Sequence, residues 1–411
     1  MTPLKVALLG LGTVGFGTFE ALKERKDDLE QILGRKIEIS GILIKDKSKD
    51  RGLDQNIFVS KDFKELLSLK KPDVIIEAIG GIEPALQYIE YALRQGCHVI
   101  SANKDCIAKH GTRLKAIAED NAVRFVYEAS VGGGIPILRT LRELLVVNKV
   151  ERIEAILNGT SNFILTSMRV DGHTFEEALS IAREKGFAEQ DPANDIEGRD
   201  AFYKAMIICE ELYGQQPDWD HVNVQGIKNI KKEEIRAAEQ LGLRVKHLVT
   251  IRDTLKVTIS PVFIDSSHPL YNVEQVNNGV VIKNDLLGYL TLIGAGAGAK
   301  PTASAIVEDF MSLFLTKHFK RLKTYPEKFA DIHKEQDETN VFFFRNVADS
   351  EKNRIVNDLE EAGTVHSSTG GSGSFAVLYS GKRSDFQHEK LVSKYPAKIS
   401  LSATQKTAAL V

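Results

Sequence analysis

Residues 4–33 restrict the fold more than any other stretch of the chain. Leu4 to Leu9 (LKVALL) is a short apolar run, Gly10-Leu-Gly12-Thr13-Val14-Gly15 follows it, and Phe19 to Leu33 carries apolar residues at helical spacing. The stretch therefore reads as strand, glycine turn and helix. Its spacing is GxGxxG, in which Gly10 suits a tight turn, Gly12 allows backbone approach to a pyrophosphate and Gly15 allows close helix–strand packing. The helix N-terminus offers N–H groups and partial positive charge to that phosphate, and Thr13 and Val14 in the turn are candidates to contact the cofactor. A glycine-rich turn without a ligand is the ordinary alternative, and the strand-turn-helix context argues against it.

The following segments repeat the alternation. A strand at Ile37 to Ile44 precedes Lys45 and Asp46, a helix near Asp62 to Leu69 precedes a strand at Asp73 to Ala78, and a helix at Pro84 to Gln95 precedes a strand at His98 to Ser101. A helix at His110 to Asn121 and a strand at Arg124 to Tyr127 complete the series, which predicts a doubly wound parallel sheet with ligands at the carboxyl ends of its strands. Gly80, Gly81 and Lys104 fall at those ends, and Ser101, the last residue of its strand, is a further candidate beside the cofactor. An acid after the second strand takes the ribose hydroxyls of NAD, whereas a cation accommodates the phosphate of NADP. Lys45 comes first, favouring NADP, although a lysine there is also an ordinary solvated residue. The same alternative applies to Lys104. The loop Glu128-Ala-Ser-Val131-Gly-Gly133-Gly-Ile135-Pro136 combines backbone carbonyls with one carboxylate, all hard oxygen ligands, so a cation site and a simple interdomain crossover both remain open.

After Asn148 the pattern changes. Val150 to Leu157 reads as a strand, Asn158 to Asn162 as a polar turn, and Thr174 to Lys185 as a helix with a capping box between Thr174 and Glu177. An acidic loop carrying Glu189, Asp191, Asp195 and Glu197 then feeds a helix from Arg199 whose apolar residues surround most of its wheel. Asp200 and Lys204 share one stripe of that helix. Charges on so apolar a helix must be paired or face a polar cavity, because stranding either is costly; a structural ion pair and a site are both consistent. Antiparallel strands between 245 and 293 suggest a second, mixed domain able to pair sheets between subunits, and Gly294-Ala-Gly296-Ala-Gly298 opens a helix to about Leu315 that returns to the first domain. Residues 317–339 read as a charged linker. The segment from 340 reads as βαββαβ, a small ferredoxin-like module with a short helix near Asp385 to Val392 and a final strand at Lys398 to Ser402. The expected domains are 1–135 (completed by about 295–320), 136–294 and 340–411.

A net charge of −2 with no dense basic run gives no reason to expect nucleic acid. Cys97, Cys106 and Cys209 are an odd number without CxxC spacing, which argues against disulfides or zinc and fits a reducing cytosol. No signal-peptide pattern or long apolar run is present, so the expectation is a cytoplasmic protein with no membrane partner.

Taken together, LLGLGTVG at Leu8–Gly15, GGIEP at Gly80–Pro84, SANKD at Ser101–Asp105, EASVGGGIP at Glu128–Pro136, LNGTSNFIL at Leu157–Leu165, GFAEQDPANDIEGRDAFYK at Gly186–Lys204 and GAGAGAKPTAS at Gly294–Ser304 resemble homoserine dehydrogenases over residues 1 to about 320. The resemblance implies a Rossmann nucleotide-binding domain, a catalytic and dimerisation domain, and NADP- or NAD-linked interconversion of L-homoserine and L-aspartate 4-semialdehyde in threonine, methionine and isoleucine biosynthesis. It further implies that Lys204 is the acid–base residue, that Lys104 contacts cofactor and substrate, that Glu189 and Asp200, with Asp195 in reach, hold the amino acid, and that Gly296 belongs with the cofactor site. A monovalent cation such as Na+ would bind Glu128 and the backbone of Val131, Gly133 and Ile135, and the expected assembly is a homodimer or homotetramer. Many family members carry a threonine-sensing ACT domain where this chain has its C-terminal module; here Asn346 to Asp349 replace the usual Asp-x-Pro-Gly turn, which leaves oligomer stabilisation as the expected role. Two other readings compete. An aspartate-semialdehyde dehydrogenase would need a cysteine nucleophile, for which Cys106 is the candidate, and a nicotinamide-binding sensor would use Asp200 and Lys204 only as an ion pair.

Overall fold

The computed structural model describes residues 2–46, 53, 57–315, 338–361, 363–369, 374–381 and 386–399. The chain divides into two compact units, one formed by residues 1–149, 203–216 and 294–325, the other by 150–202, 217–293 and 326–411.

The first unit runs β1 (Leu4–Leu9), α1 (Thr13–Glu24), α2 (Lys26–Leu33), β2 (Ile37–Leu43), β3 (Phe58–Ser60), α3 (Phe63–Lys70), β4 (Val74–Glu77), α4 (Ala85–Arg94), β5 (His98–Ser101), α5 (Lys104–Asp120), β6 (Phe125–Val126) and the short α6 (Ile137–Arg139). Its six strands lie in the order β3-β2-β1-β4-β5-β6, and every pairing is parallel. Strand order reverses between β1 and β4, the switch point at which such sheets bind ligands. Two expectations need correction. The helical pattern expected at Phe19 to Leu33 begins at Thr13 and is broken at Arg25 (φ −100°, ψ 9°), where the chain leaves helical geometry and starts a second helix. The expected helix from His110 instead starts at Lys104, because the Asn103 side chain accepts from the Cys106 N–H at 3.2 Å and caps the longer helix.

The second unit opens with β7 (Val150–Ile156), α7 (Gly159–Val170), α8 (Phe175–Glu184) and α9 (Ala193–Ile196). Next comes α10 (Arg199–Tyr213), whose residues 203–213 are counted with the first unit. β8 (Asn223–Val224), α11 (Lys232–Gln240), β9 (Arg244–Arg252), β10 (Val257–Ile264), β11 (Asn277–Asn284) and β12 (Gly288–Ala295) follow. α12 (Ala299–Leu315) rejoins the first unit, where Ile306, Phe310 and Met311 share a core with Leu4, Val6 and Phe19. The chain ends with β13 (Glu338–Phe344), α13 (Asp349–Glu360), β14 (Gly363–Thr369), β15 (Phe375–Gly381) and β16 (Leu391–Lys398). The polar turn expected at Asn158 to Asn162 is the start of α7: Asn158 accepts from the Ser161 N–H at 2.7 Å and caps it, a local bond that a polar run conceals. The Thr174–Glu177 capping box is present, with both reciprocal bonds made.

The C-terminal strands do not form a sheet of their own. The path β12-β11-β7-β9-β10-β16-β13-β15-β14 is continuous, with β16 paired antiparallel to β13 and parallel to β10. The short helix expected near Asp385 to Val392 is absent from residues 386–392, and Leu391 already belongs to β16. Pairing with β13 from Leu391 to Pro396 satisfies one side of this backbone and outweighs local helical preference, and β10 joins only at Ala397 and Lys398. The antiparallel order β16-β13-β15-β14 is that of a ferredoxin-like sheet. Residues 316–337, which hold most of the linker expected at 317–339, residues 382–385 and the chain from 400 onward lie outside the described residues, while Glu338 and Thr339 belong to β13 rather than to a linker.

Candidate active site

The glycine turn after β1 does its work through backbone contacts. Gly10 has φ +92°, and a Cβ there would lie 2.8 Å from the Ala78 carbonyl oxygen; a Cβ on Gly15 would lie 2.1 Å from the Gly10 oxygen. Any side chain at either position closes the turn. A Cβ on Gly12 would meet nothing within 4 Å, so the protein itself does not require glycine there, and open space above the start of α1 is what a pyrophosphate needs. Thr13 is exposed and Val14 half-buried in the first turn of α1. Lys45 is exposed just beyond β2.

The carboxyl ends of β4 and β5 are locked together by side chains. Glu77 is completely buried and accepts from the Ser101 hydroxyl at 2.5 Å and the Ile79 N–H at 2.7 Å. Burial pushes its carboxyl up to about 7, while the hydrogen bonds from Ser101 and Ile79 oppose the shift. The Asn103 N–H donates to the Ser101 hydroxyl at 3.1 Å, and its amide donates to the carbonyls of Ile79 at 2.9 Å and Gly81 at 2.6 Å. The Ser101 hydroxyl thus faces the Glu77 carboxyl of the neighbouring strand. Exposed Gly80 and half-buried Lys104, the first residue of α5, are held at the rim.

The loop after β6 is bonded through Glu128. Its carboxylate accepts from the Leu138 N–H at 2.8 Å and the Arg139 N–H at 2.6 Å, and its own N–H donates to Asp309 at 2.7 Å. Burial first, and the Asp309 charge second, push the Glu128 carboxyl up to about 8. Val131 and Ile135 are buried, and the Ile135 carbonyl accepts from the Ile137 N–H at 2.8 Å. A Cβ on Gly133 would lie 2.5 Å from the carbonyl carbon and oxygen of buried Gly296, so the two glycine loops touch backbone to backbone. Among the described residues no group of three or more His, Cys, Asp and Glu side chains is arranged for a metal.

In the second unit two carboxylates are brought together by an amide. Asn158 donates to Asp195 at 2.7 Å and to Asp200 at 2.9 Å. Asp200 is buried and Asp195 half-buried, while Glu189 is exposed on the connection between α8 and α9. Half-buried Lys204 follows Asp200 by one turn of α10. Further along α10 Glu211 accepts from Tyr127 at 2.8 Å and Lys115 at 3.3 Å. Although burial opposes it, Lys115 and Arg142 hold the Glu211 carboxyl down to about 2.

Two family models match the chain: the homoserine dehydrogenase NAD-binding domain over residues 10–128 and homoserine dehydrogenase over 136–311. A homoserine dehydrogenase of Lactococcus lactis is 38% identical over 318 residues, spanning 75% of this chain and 74% of the relative. The chain belongs to the homoserine dehydrogenase family. A crystal structure of a homoserine dehydrogenase from Thiobacillus denitrificans superposes with a TM-score of 0.82 at 29% identity, covering 97% of this chain and 99% of that one. A hyperthermophilic archaeal homoserine dehydrogenase in complex with NADPH matches with a TM-score of 0.67 at 28% identity, covering 76% of this chain and 98% of that one. The activity is that of a homoserine dehydrogenase, an oxidoreductase that interconverts L-homoserine and L-aspartate 4-semialdehyde with a nicotinamide cofactor.

The competing aspartate-semialdehyde dehydrogenase and sensor readings are not favoured. Cys106 is completely buried, and burial, with Glu77 next in importance, pushes its thiol up to about 12, so it is no nucleophile. No described helix is long and apolar enough to cross a membrane. Sequence reasoning did not single out Glu77, Asn103 and Asn158, which hold the candidate residues Ser101, Asp195 and Asp200 or the rim beside them. For Asn158 and Asn103 a signal existed: each stands directly before a helix whose third residue donates to it. For Glu77, an acid at the end of an apolar strand, the only signal is that a carboxylate there must find donors.

Proposed function

We propose that Lys204 is the proton donor when aspartate 4-semialdehyde is reduced and the acceptor when homoserine is oxidised. The cofactor, when bound, supplies or takes the hydride at the substrate carbon. Hydride delivery builds negative charge on the aldehyde oxygen, and a nearby ammonium lowers the barrier by stabilising that charge and passing a proton to it. Lys104, on the first turn of α5, contacts cofactor and substrate. Asp195 and Asp200, with Glu189, hold the substrate ammonium: carboxylates are acceptor-only groups and form charge-assisted bonds to it. The observation that carries this reading is the Asn158 amide joining Asp195 to Asp200 one turn before Lys204.

The cofactor seat consists of Gly10, Gly12, Thr13, Val14 and Gly15, with Gly80, Ser101 and Gly296 shaping its surroundings. Lys45 accommodates the 2′-phosphate, which makes NADP the preferred cofactor over NAD. Glu128 and the carbonyls of Val131, Gly133 and Ile135 hold a monovalent cation such as Na+ in a structural role; support comes from the hard-oxygen donor set and from a buried carboxyl that a neighbouring cation would keep ionised. The protein acts in the cytoplasm as a homodimer or homotetramer. Support for self-association comes from β12, an edge strand on which Tyr289 and Ile293 are more than half exposed.

Absorbance growth from reduced cofactor with homoserine and NADP measures the reaction. Lys204→Ala is expected to lower kcat by a factor of about 100 or more while NADPH still binds; turnover within about threefold of the unaltered chain would remove Lys204 from the proton-transfer role.

A further inference from the structure

The stretch 195–200, which carries both carboxylates bridged by Asn158, is supported from below by a second set of contacts. The Ile227 N–H donates to the Ile196 carbonyl at 2.9 Å, and a Cβ on Gly226 would lie 2.2 Å from that same oxygen and 2.7 Å from Glu197 Cα. Residues 225–227 are thus pressed flat against the acidic stretch. They are fixed in turn to the sheet: the Gln225 N–H donates to the Ile259 carbonyl at 2.7 Å, and β8 pairs with β10.

His247 lies where the two runs meet. It is buried on β9 opposite Pro261 of β10, and its Nε2 is 2.9 Å from the Gln225 carbonyl. A carbonyl only accepts, so Nε2 carries the proton and donates. The same ring touches Gly198, whose φ is +85°: a Cβ there would come within 3.1 Å of His247 Cε1 and 3.4 Å of Nε2. Gly198 precedes Asp200 by two residues, and its carbonyl accepts the Phe202 N–H at 2.9 Å, which opens α10. One imidazole therefore braces the start of the helix and, through Gln225, the segment beneath Ile196 and Glu197.

We propose that His247 is a positioning residue for the amino-acid substrate, acting through Gly198 and Gln225 to fix Asp195 and Asp200 at the spacing that receives the ammonium. The proposal rests on the reading of those two carboxylates as the substrate's ammonium site. Burial pushes the His247 imidazole down to about 4, so the ring stays neutral and keeps its single donor near neutrality.

The full-length enzyme tests this by steady-state kinetics with homoserine and NADP, together with NADPH binding. His247→Leu removes the donor at similar bulk and is expected to raise the homoserine KM about tenfold, the effect of one ordinary hydrogen bond on an equilibrium. Its NADPH affinity and kcat should stay within about threefold. His247→Gln, whose amide can still donate to the Gln225 carbonyl, is expected to restore most of the KM, which a purely packing role would not predict. Gly226→Ala, which drives a methyl into the Ile196 carbonyl, is expected to share the KM defect. A homoserine KM unchanged in His247→Leu, or equally raised in His247→Gln and His247→Leu, overturns the proposal. Should His247→Leu lose NADPH binding as well, His247→Asn, too short to span to Gln225, decides by the same KM criterion. Asp200→Asn separates the two levels. If it raises KM while the His247 variants do not, the brace alone is wrong; if it leaves KM unchanged, the ammonium site is wrong and the brace falls with it.

Discussion

Replacing Asn158 by serine isolates the amide bridge from the helix cap. Serine caps a helix about as well as asparagine, so α7 keeps its first-turn acceptor, but a serine side chain is too short to reach the two carboxylates. What is lost is the pair of charge-assisted bonds at 2.7 Å to Asp195 and 2.9 Å to Asp200. Bonds of this kind contribute about 1.5–3 kcal/mol each, giving about 3–6 kcal/mol if both were lost without compensation. Asp195 is half-buried and can turn toward water, and a water can enter the vacated space, so roughly half of that sum, about 2–3 kcal/mol, is the expected loss of stability. The functional effect is separate. With the two acids as the proposed ammonium site, loss of the amide leaves them to repel each other until the substrate gathers them, so the homoserine KM should rise at least about tenfold while the NADP KM stays within about twofold. Urea unfolding followed by fluorescence gives the first quantity and initial rates give the second. Asn158→Ala should add about 1 kcal/mol of further loss from the missing cap. A homoserine KM within about twofold of the unaltered chain in Asn158→Ser would refute the bridge as an organiser of the substrate site.

Gly15→Ala places a methyl 2.1 Å from the Gly10 oxygen and should abolish NADPH binding, measured by quenching of cofactor fluorescence; retained affinity would mean that the turn can reshape around the methyl. Glu77 has a folded value near 7 against an ordinary 4.5, so it stays protonated in the fold where the unfolded chain has already lost its proton. Its contribution to stability therefore falls as pH rises from about 4.5 to 7, by up to about 3 kcal/mol, and Glu77→Gln should gain on the unaltered chain between pH 5 and pH 8 in urea unfolding; parallel pH curves would contradict this. Lys45→Ala should lower kcat/KM for NADP about tenfold and leave NAD within about twofold, and an unchanged NADP to NAD ratio would clear Lys45 of phosphate recognition.

Much of the fold could be read before any coordinates, since its signals act over a few residues. Gly10 and Gly15 announce a turn because no Cβ fits there. Thr174 and Glu177 announce a helix start because their two bonds close within four residues. The apolar wheel of residues 201–209 announces a buried helix because burial follows helical period. Where such a signal competed with a polar or charged run, as at Asn103-Lys104 and Asn158 to Asn162, the helix start was concealed, although the caps that make it are equally local.

The amino-acid sequence by itself determined the parallel dinucleotide-binding sheet, the order of its glycine turns and the family to which the chain belongs, because those follow from local backbone sterics and periodicity. Tertiary structure decided which polar groups meet. Asn158 finds its acids 37 and 42 residues away, the Ser101 hydroxyl meets a glutamate 24 residues earlier, and residues 391–398 become a strand where β13 pairs along 391–396 and β10 at 397–398. Each depends on how distant segments close on one another, and a buried polar group is satisfied by whatever partner that closure brings within 3 Å or so, which local spacing along the chain does not encode.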